Sequence, residues 1–230
     1  MTSVEAVLFD LDGTLLDTAP DFVRVVNRQR QIYALEALEQ DRIRASVSNG
    51  ARALIELSFG MGPDHQDFPS RHQELLDLYY EDIAVDTCLF PGMDRLLQFL
   101  EQNRLPWGIV TNKPRRFSEI LLQKLDLEQR CSILVCPDDV THRKPHPEPM
   151  WLACSTIKCE PTRTIYVGDH VRDIEAGRAA GMYTVAARYG YLSSPDEALA
   201  WAADMMIDHP DELLDWLQQE QISLHPQSQA

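Results

Sequence analysis

The sequence predicts an α/β fold, with a Rossmann-like parallel sheet that carries a small inserted helical cap. Short apolar segments alternate with segments whose apolar residues lie three or four positions apart, the pattern of strands that alternate with helices. Such alternation is typical of a parallel sheet covered by helices on both faces. It is interrupted once, because residues 17–87 show helical spacing alone. We therefore expect a cap at residues 17–87, inserted into a core of residues 1–16 and 88–230.

The predicted strands of the core are short, apolar and bounded by polar or glycine-containing turns. They span residues 4–9, 107–110, 133–135, 164–167, 183–187 and 205–207. The predicted core helices span residues 93–101, 114–125, 149–157, 196–202 and 211–219, and a further helix follows Asp169 and ends near Ala180. Pro114 suits the first position of its helix, and Gly181 suits a helix C-terminus.

The inserted segment is predicted to be all-helical. Phe22, Val23 and Val26 have helical spacing, prolines interrupt the pattern, and no strong β segment appears before residue 86. Five aromatic side chains are interpreted as core packing rather than as a sugar-binding platform. These are Phe22, Tyr33, Tyr79, Tyr80 and Trp107.

Composition narrows the function classes. The chain has 230 residues, 44% of them hydrophobic, which suffices for a packed globular core. Its 21 Lys and Arg against 36 Asp and Glu leave a net charge of −15, which repels nucleic acid and anionic membranes. No apolar run approaches the roughly 18 residues of a membrane span, and the first residues do not resemble a signal peptide.

Five cysteines, an odd number, do not indicate a disulfide framework, and no histidine lies at zinc-finger spacing from them. We interpret them as reduced, mostly buried thiols of a cytoplasmic protein. They are Cys88, Cys131, Cys136, Cys154 and Cys159. We expect no nucleic-acid or membrane partner, and a monomer or small homo-oligomer.

Two carboxylates directly follow the first predicted strand. Asp10 and Asp12 lie two residues apart on a turn that continues with Gly13 and Thr14, so both could face one cation. Ligands that are all oxygen, with no His or Cys nearby, favour Mg²⁺ over Zn²⁺. The alternative is an ordinary capped turn, because Asp and Gly are common in turns.

Two further polar clusters follow predicted strands. Thr111, Asn112 and the backbone N–H groups before the next helix could hold an anion, although a plain N-cap is the alternative. Asp169 and Asp173 lie four residues apart, on one face at the start of a helix. They could ligate one ion or orient its waters, or they could simply complement the helix dipole.

Lys144 lies in a proline-rich loop, where a lysine taken alone is usually solvated. In a parallel sheet, however, the loops at the carboxyl ends of the strands lie together. Four carboxylates at short range would repel each other strongly, which proteins tolerate where a metal ion neutralises the charge. The conjunction therefore predicts a single metal-binding site that also contains Lys144.

In order and spacing, residues 10–15, 111–112, 144–145 and 168–173 resemble the four motifs of the haloacid dehalogenase superfamily. The resemblance spans nearly the whole chain and is closest to its phosphoglycolate phosphatase group. Residues 49–52, 136–138, 144–149 and 187–191 resemble more narrowly the phosphatases that act on N-acetylmuramic acid 6-phosphate in cell-wall recycling. Two residues depart from the pattern. Relatives often carry a small or acidic residue in place of His170, and Asn in place of Arg172.

The resemblance implies a Mg²⁺-dependent phosphomonoesterase that acts on a small phosphorylated metabolite. Asp10 would attack phosphorus and form an aspartyl-phosphate, and Asp12 would act as general acid and then as general base. The residues implied to hold the phosphoryl group are Thr111, Asn112 and Lys144. The residues implied to hold the metal are Asp10, Asp12 through its backbone carbonyl, and Asp169, with Asp173 in support.

Substrate choice would come from the cap, because the phosphate is common to all candidate substrates. Arg52 follows the predicted turn Asn49-Gly50, and its guanidinium could pair with a substrate carboxylate. The other interpretation is an exposed arginine at a helix start. N-acetylmuramic acid 6-phosphate and 2-phosphoglycolate both carry a carboxylate; the resemblance favours the first, and the second is the alternative.

Other functions remain open at this point. A dehalogenase of this fold would use Asp10 without an acid such as Asp12. A phosphomutase would share all four motifs but retain a bisphosphorylated intermediate. A catalytically inactive binding module would not need the full set of acids and lysine. Phosphate release from a panel of phosphorylated metabolites distinguishes these functions.

Overall fold

The structure, a computed structural model, describes residues 4–194 and 196–224. Its eight strands are β1 Ala6–Phe9, β2 Leu16–Asp17, β3 Cys88–Leu89, β4 Trp107–Val110, β5 Leu134–Val135, β6 Thr164–Gly168, β7 Tyr183–Ala187 and β8 Met205–Ile207. Six of them form a parallel sheet in the order β5-β4-β1-β6-β7-β8. The predicted α/β fold class is therefore confirmed.

Nine α-helices lie within the described residues. They are α1 Ala19–Ile32, α2 Gln40–Arg44, α3 Ala51–Phe59, α4 Phe68–Glu81, α5 Met93–Gln102, α6 Arg115–Lys124, α7 Glu148–Ile157, α8 Val171–Ala179 and α9 Pro210–Leu224. Helices α1 to α4 lie between β2 and β3, which places an all-helical insertion after the first strand of the main sheet.

The central strand β1 is buried on both faces of the sheet, and none of its four residues is exposed. Val7 and Phe9 belong to the larger apolar core on one face, and Leu8 belongs to a second core on the other face. This burial on both sides explains why the strand is a continuous apolar segment rather than an alternating one.

The inserted helices pack on each other, α1 against α2 and α4, and α3 against α4. Phe22 of α1 and Tyr79 of α4 stack at a ring separation of 4.2 Å. Where the insertion begins and ends, β2 and β3 form a two-stranded antiparallel ladder that pairs Leu16 with Leu89. Sequence analysis missed this ladder, because two residues are too short to show a period.

Several sequence-based predictions differ from the structure. The helix predicted at residues 196–202 is a short 3₁₀ helix, Glu197–Ala200, held by bonds between residues three apart such as Leu199 N–H to the Asp196 carbonyl. Tyr80 is 52% exposed, not core. It neighbours buried Tyr79 on α4, and adjacent helical residues point in different directions. The expected core residues 1–3 and 225–230 lie outside the described residues.

All five cysteines are free thiols, but only Cys136 and Cys154 are fully buried. Cys131 and Cys159 are half-buried and Cys88 is exposed in the two-stranded ladder, so the expectation of mostly buried thiols was wrong. Across residues 4–194 and 196–224, no helix combines the length and the apolar character needed to cross a bilayer.

Candidate active site

The carboxyl ends of β1, β4 and β6 meet at one edge of the sheet, where the three polar loops begin. Asp10 follows β1 directly, and its backbone N–H donates to the Val167 carbonyl of β6 at 2.9 Å. Thr111 follows β4, and its backbone N–H donates to the Val135 carbonyl of β5 at 3.0 Å. Asp169 follows β6. The sheet order therefore brings together clusters that lie far apart in sequence.

Lys144 is the cation at the centre of this site, with a side chain only 1% exposed. Its Nζ lies 2.9 Å from Asp10 Oδ1 and 2.7 Å from Asp173 Oδ1. It also donates hydrogen bonds to the Val110 carbonyl and the Tyr166 hydroxyl, at 2.9 and 2.8 Å. Burial lowers the pKa of Lys144, but the two carboxylates outweigh burial and raise it. The lysine is thus a buried ammonium and not a solvated one.

The same ion pair keeps Asp10 ionised. Burial raises the pKa of Asp10, but the charge and hydrogen bond of Lys144 and the Leu11 N–H together lower it below its ordinary value. A buried, ionised carboxylate that directly follows the central strand is suited to act as a nucleophile.

Asp173 holds Lys144 from the other side. It forms a capping box at the start of α8, in which Asp173 Oδ2 accepts from the His170 N–H at 3.1 Å. Its Oδ1 faces Lys144. Burial raises the pKa of Asp173, and the charge of Asp10 adds to this against the attraction of Lys144. The helix start therefore fixes a carboxylate beside the lysine.

Asp169 has neutral hydrogen-bond donors and no ion-pair partner in the described part of the chain. Its Oδ2 accepts from the Ser48 hydroxyl at 2.8 Å and from the Tyr191 N–H at 2.9 Å. Gly13, with φ of +82°, allows this carboxylate to approach the first loop, because a Cβ at Gly13 would collide with Asp169.

The acidic side chains at this edge fit a hard divalent cation. Asp10, Asp169 and Asp173 each offer a buried carboxylate oxygen, and these atoms lie within 4.8 Å of one another. Burial, followed by the charges of Asp10 and Asp173, raises the pKa of Asp169 to about 7. Within the described residues, Lys144 pairs with two of these three carboxylates, Asp10 and Asp173, and Asp169 has no contacting ammonium. Oxygen donors with excess negative charge suit Mg²⁺.

Asp12 lies beside this cluster and contacts a residue that sequence analysis did not select. Its Oδ1 accepts from the Thr18 hydroxyl at 2.6 Å and from Lys113 Nζ at 2.9 Å. The Lys113 side chain is only 7% exposed. The available signal was its position next to Thr111 and Asn112. Nothing in the sequence shows that its long side chain turns inward to a residue 101 positions away.

Thr111 and Asn112 lie at the same edge of the sheet and hold the neighbouring loops. Thr111 is buried, and its Oγ1 accepts from the Lys113 backbone N–H at 3.1 Å. Asn112 donates its side-chain amide to the Lys144 carbonyl at 3.0 Å, which ties this loop to the lysine loop. The phosphate-binding role predicted for this pair stays a prediction.

The inserted segment reaches the site through the 3₁₀ helix Val47–Asn49. Ser48 donates its hydroxyl to Asp169, and its carbonyl accepts from the Arg172 guanidinium. His170 Nε2 lies 3.3 Å from Asn49 Oδ1. Burial and the charge of Arg172 lower the pKa of His170 to about 4, so the ring is neutral and its Nε2–H donates to Asn49. The two residues that depart from the family pattern thus contact the cap.

Arg52 lies on the first turn of α3, three residues after Asn49, and is exposed. In the described part of the chain its side chain has no hydrogen-bond or ion-pair partner. Its charge, after burial, lowers the pKa of His72 on α4. The structure therefore places Arg52 near the loop that contacts the site, but not in contact with the site's carboxylates.

The chain matches the family model for haloacid dehalogenase-like hydrolases over residues 7–187. It is 47% identical over 214 residues to the N-acetylmuramic acid 6-phosphate phosphatase of Pseudomonas aeruginosa, covering 93% of this chain and 95% of that protein. It is 42% identical over 211 residues to a phosphoglycolate phosphatase of Xanthomonas campestris pv. campestris, covering 90% and 94% of the two chains.

A solved structure of a haloacid dehalogenase-like hydrolase from Streptococcus pneumoniae superposes with a TM-score of 0.81 at 22% identity. It covers 95% of this chain and all of that chain. At this identity the likeness concerns the fold, and it agrees with the α/β architecture described above.

Proposed function

We propose that this chain, which belongs to the haloacid dehalogenase-like hydrolase family and is a phosphoric monoester hydrolase, hydrolyses N-acetylmuramic acid 6-phosphate. The observation that supports this substrate is the 47% identity, over nearly the full length, to the Pseudomonas aeruginosa enzyme of that name. The alternative substrate is 2-phosphoglycolate, supported by the 42% identity to the Xanthomonas enzyme.

The proposed nucleophile is Asp10. Its lowered pKa provides an ionised oxygen at neutral pH, and Lys144 at 2.9 Å holds this carboxylate in place. A bond forms between an Asp10 oxygen and phosphorus while the ester bond to the alcohol oxygen breaks. Water then attacks the aspartyl-phosphate, which releases phosphate and restores the Asp10 carboxylate.

Asp12 is the proposed general acid and base. It gives its proton to the alcohol oxygen as the ester bond breaks, and takes a proton from the attacking water in the second step. Its side chain is placed for this by the loop after β1, two residues from the nucleophile, and is held by Thr18 and Lys113.

Lys144, with Thr111 and Asn112, is proposed to bind the phosphoryl oxygens. A buried ammonium stabilises the charge that develops on the transferring group, because little water is present to screen it. The contacts of Lys144 to Val110, Tyr166 and Asp173 hold it ready before substrate arrives.

Asp10, the Asp12 backbone carbonyl and Asp169 are proposed to hold Mg²⁺, with Asp173 in support. When bound, Mg²⁺ neutralises the clustered carboxylates and the phosphoryl oxygens. The raised pKa of Asp169 and the shared buried position of the three carboxylates support this assignment.

The cap, for which we propose the limits 17–87, would choose the alcohol part of the substrate. The contacts from Ser48 and Asn49 to Asp169, His170 and Arg172 bring its α3 end to the edge of the site. Arg52, on that same helix, is proposed as one contact of the substrate carboxylate.

A panel of phosphomonoesters tests this proposal. The purified chain is assayed with Mg²⁺ for release of inorganic phosphate from N-acetylmuramic acid 6-phosphate, 2-phosphoglycolate and sugar phosphates. We expect the highest kcat/KM with N-acetylmuramic acid 6-phosphate. A higher kcat/KM with 2-phosphoglycolate would identify that compound as the preferred substrate instead. Conversion of a monophosphate into its isomer that depends on an added bisphosphate, without net phosphate release, would indicate a mutase, and neither release nor isomerisation with any ester would indicate a binding module.

A further inference from the structure

Lys113 carries a second buried positive charge that the proposed mechanism does not use. Its Nζ lies 2.9 Å from Asp12 Oδ1 and reaches across from the loop after β4 to the cap. There it lies 4.6 Å from the centre of the Tyr79 ring and 5.0 Å from that of Phe22. An ammonium from the core thus lies against the stacked aromatic pair of the cap.

This ammonium has donors to spare. A lysine carries three N–H donors and no acceptor. Within residues 4–194 and 196–224, the hydrogen-bond acceptor of Lys113 Nζ is Asp12 alone, and its other near neighbours are the faces of the two rings. Ring faces attract a cation but do not replace oxygen acceptors for a group removed from water.

The hydroxyl of Tyr79 is a second unmet donor, and it belongs to the ring that Lys113 contacts. Tyr79 is 1% exposed, and its hydroxyl has no hydrogen-bond partner among the described residues. Burial, followed by the charges of Asp12 and Asp21, raises the pKa of Tyr79 well above its ordinary value. The phenol is therefore protonated at neutral pH, and it can donate.

We propose that Lys113 and Tyr79 form a binding site for a carboxylate carried by the alcohol part of the substrate. The inference rests on the proposed function, because Asp12, the partner of Lys113, marks the side from which the alcohol leaves. A buried cation and a buried hydroxyl donor both require an acceptor, and a carboxylate oxygen satisfies both.

This site differs from the exposed position of Arg52. Lys113 is enclosed between core and cap, where water screens charge little, whereas Arg52 on the cap surface is solvated. A carboxylate bound by Lys113 is therefore expected to gain more from its counter-charge than one bound by Arg52. The lysine, and not the arginine, is then the principal determinant of preference for acidic phosphate esters.

The experiment compares two esters that differ only in the lactyl ether that carries the acid. N-acetylmuramic acid 6-phosphate and N-acetylglucosamine 6-phosphate share their sugar and phosphate, but only the first carries the lactyl carboxylate. The ratio of their kcat/KM values is measured for the wild type, Lys113→Met, Lys113→Arg and Tyr79→Phe. A substitution that merely disturbs Asp12 lowers kcat/KM for both esters by the same factor, and this factor cancels in the ratio.

We expect Lys113→Met to lower the ratio about ten- to a hundredfold, and Tyr79→Phe to lower it about two- to tenfold. Lys113→Arg, which keeps the charge, should restore part of the preference. Lys124→Met is the matched control, because Lys124 also links core to cap through the Ile83 carbonyl but does not contact Asp12. It should leave the ratio unchanged.

An unchanged ratio in Lys113→Met, or equal loss with both esters, would overturn this inference and leave the lysine as a partner of Asp12 alone. If the wild type does not hydrolyse N-acetylmuramic acid 6-phosphate, the proposed substrate is wrong and the inference is tested separately. The same ratio is then measured for 2-phosphoglycolate against ethyl phosphate. No preference for the acid in either pair would also contradict it.

Discussion

Two regions of this protein place buried carboxylates in opposite electrostatic environments. Asp21 on α1 is fully buried, and its oxygens accept hydrogen bonds from Arg24 at 2.6 Å, the Asp86 N–H at 2.8 Å and the Thr87 hydroxyl at 2.5 Å. Burial raises the pKa of Asp21, but these donors outweigh burial and lower it.

The carboxylates at the sheet edge are also buried, but they are only partly neutralised, because Lys144 pairs with Asp10 and Asp173 and not with Asp169. Asp169 has its pKa raised to about 7 by burial and by its neighbours Asp10 and Asp173, and it has no ion-pair partner in the described residues. Burial alone therefore does not separate a structural carboxylate from a functional one. The difference is whether the protein's own groups satisfy the charge or leave it for a ligand.

The largest expected effect is the loss of turnover in Asp10→Asn. A neutral amide cannot form the aspartyl-phosphate, so kcat should fall at least about a thousandfold, roughly 4 kcal/mol of barrier. Steady-state phosphate release measures this loss, and a melting curve checks that the variant is folded. Undiminished turnover would contradict the covalent mechanism.

Asp21→Asn should show the reverse: loss of stability while the folded enzyme remains active. The substitution removes the charge that Arg24 and two further donors recognise, at a cost of about 1.5–3 kcal/mol in the free energy of unfolding at pH 7. Urea denaturation measures this. Asp86→Asn is the matched control, because Asp86 pairs with the same arginine but is 57% exposed, and it should cost less than about 1 kcal/mol.

The pH dependence of the Asp21 effect has a definite sign. Because the pKa of Asp21 is lower in the folded than in the unfolded chain, its stabilisation is present above the unfolded pKa of about 3.9. It is lost as pH falls through the lower, folded pKa. The stability difference between wild type and Asp21→Asn should therefore shrink below about pH 4. A difference that grows in acid would show that the carboxylate is not the stabilised form.

Mg²⁺ should stabilise the sheet-edge cluster and leave Asp21 unaffected. At a concentration about a hundred times Kd, binding to the folded chain alone adds about 2.7 kcal/mol, or about 5–10 °C in Tm. The increase should persist in Asp21→Asn and be lost in Asp169→Asn. Excess Ca²⁺ should bind but block turnover, because it accepts both oxygens of a carboxylate such as Asp10. Full activity in the presence of a chelator would exclude this metal site.

A smaller effect than these is expected of Arg52→Lys on substrate preference. Lysine keeps the charge but loses the planar guanidinium that can bind a carboxylate through two hydrogen bonds. The kcat/KM ratio of a carboxylate-bearing ester to a simple aryl phosphate should fall about tenfold, roughly 1.4 kcal/mol. If the ratio is unchanged, the exposed arginine does not bind the substrate, and the buried Lys113 becomes the sole candidate of the two.

Much of the candidate site could be located from the sequence, because its residues follow predicted strands. Asp10, Thr111 and Asp169 each come directly after an apolar segment, and the carboxyl ends of parallel strands share one edge. Lys144 was predicted to belong to the site, but its full burial and its contacts with Asp10 and Asp173 were not, because a lysine in a proline-rich loop is solvated unless a partner loop covers it. The inward position of Lys113 was missed for the same reason.

The sequence by itself determined the alternation of strands and helices, the place of the helical insertion and the loops that carry the polar side chains. These depend on local spacing of apolar residues, which acts over a few positions. Only the tertiary structure decided which charges are neutralised, since Ser48 meets Asp169 across 121 positions and Lys113 meets Asp12 across 101. A side chain's pKa and partners depend on burial and on distances of a few ångströms, and those are set when the cap packs on the sheet.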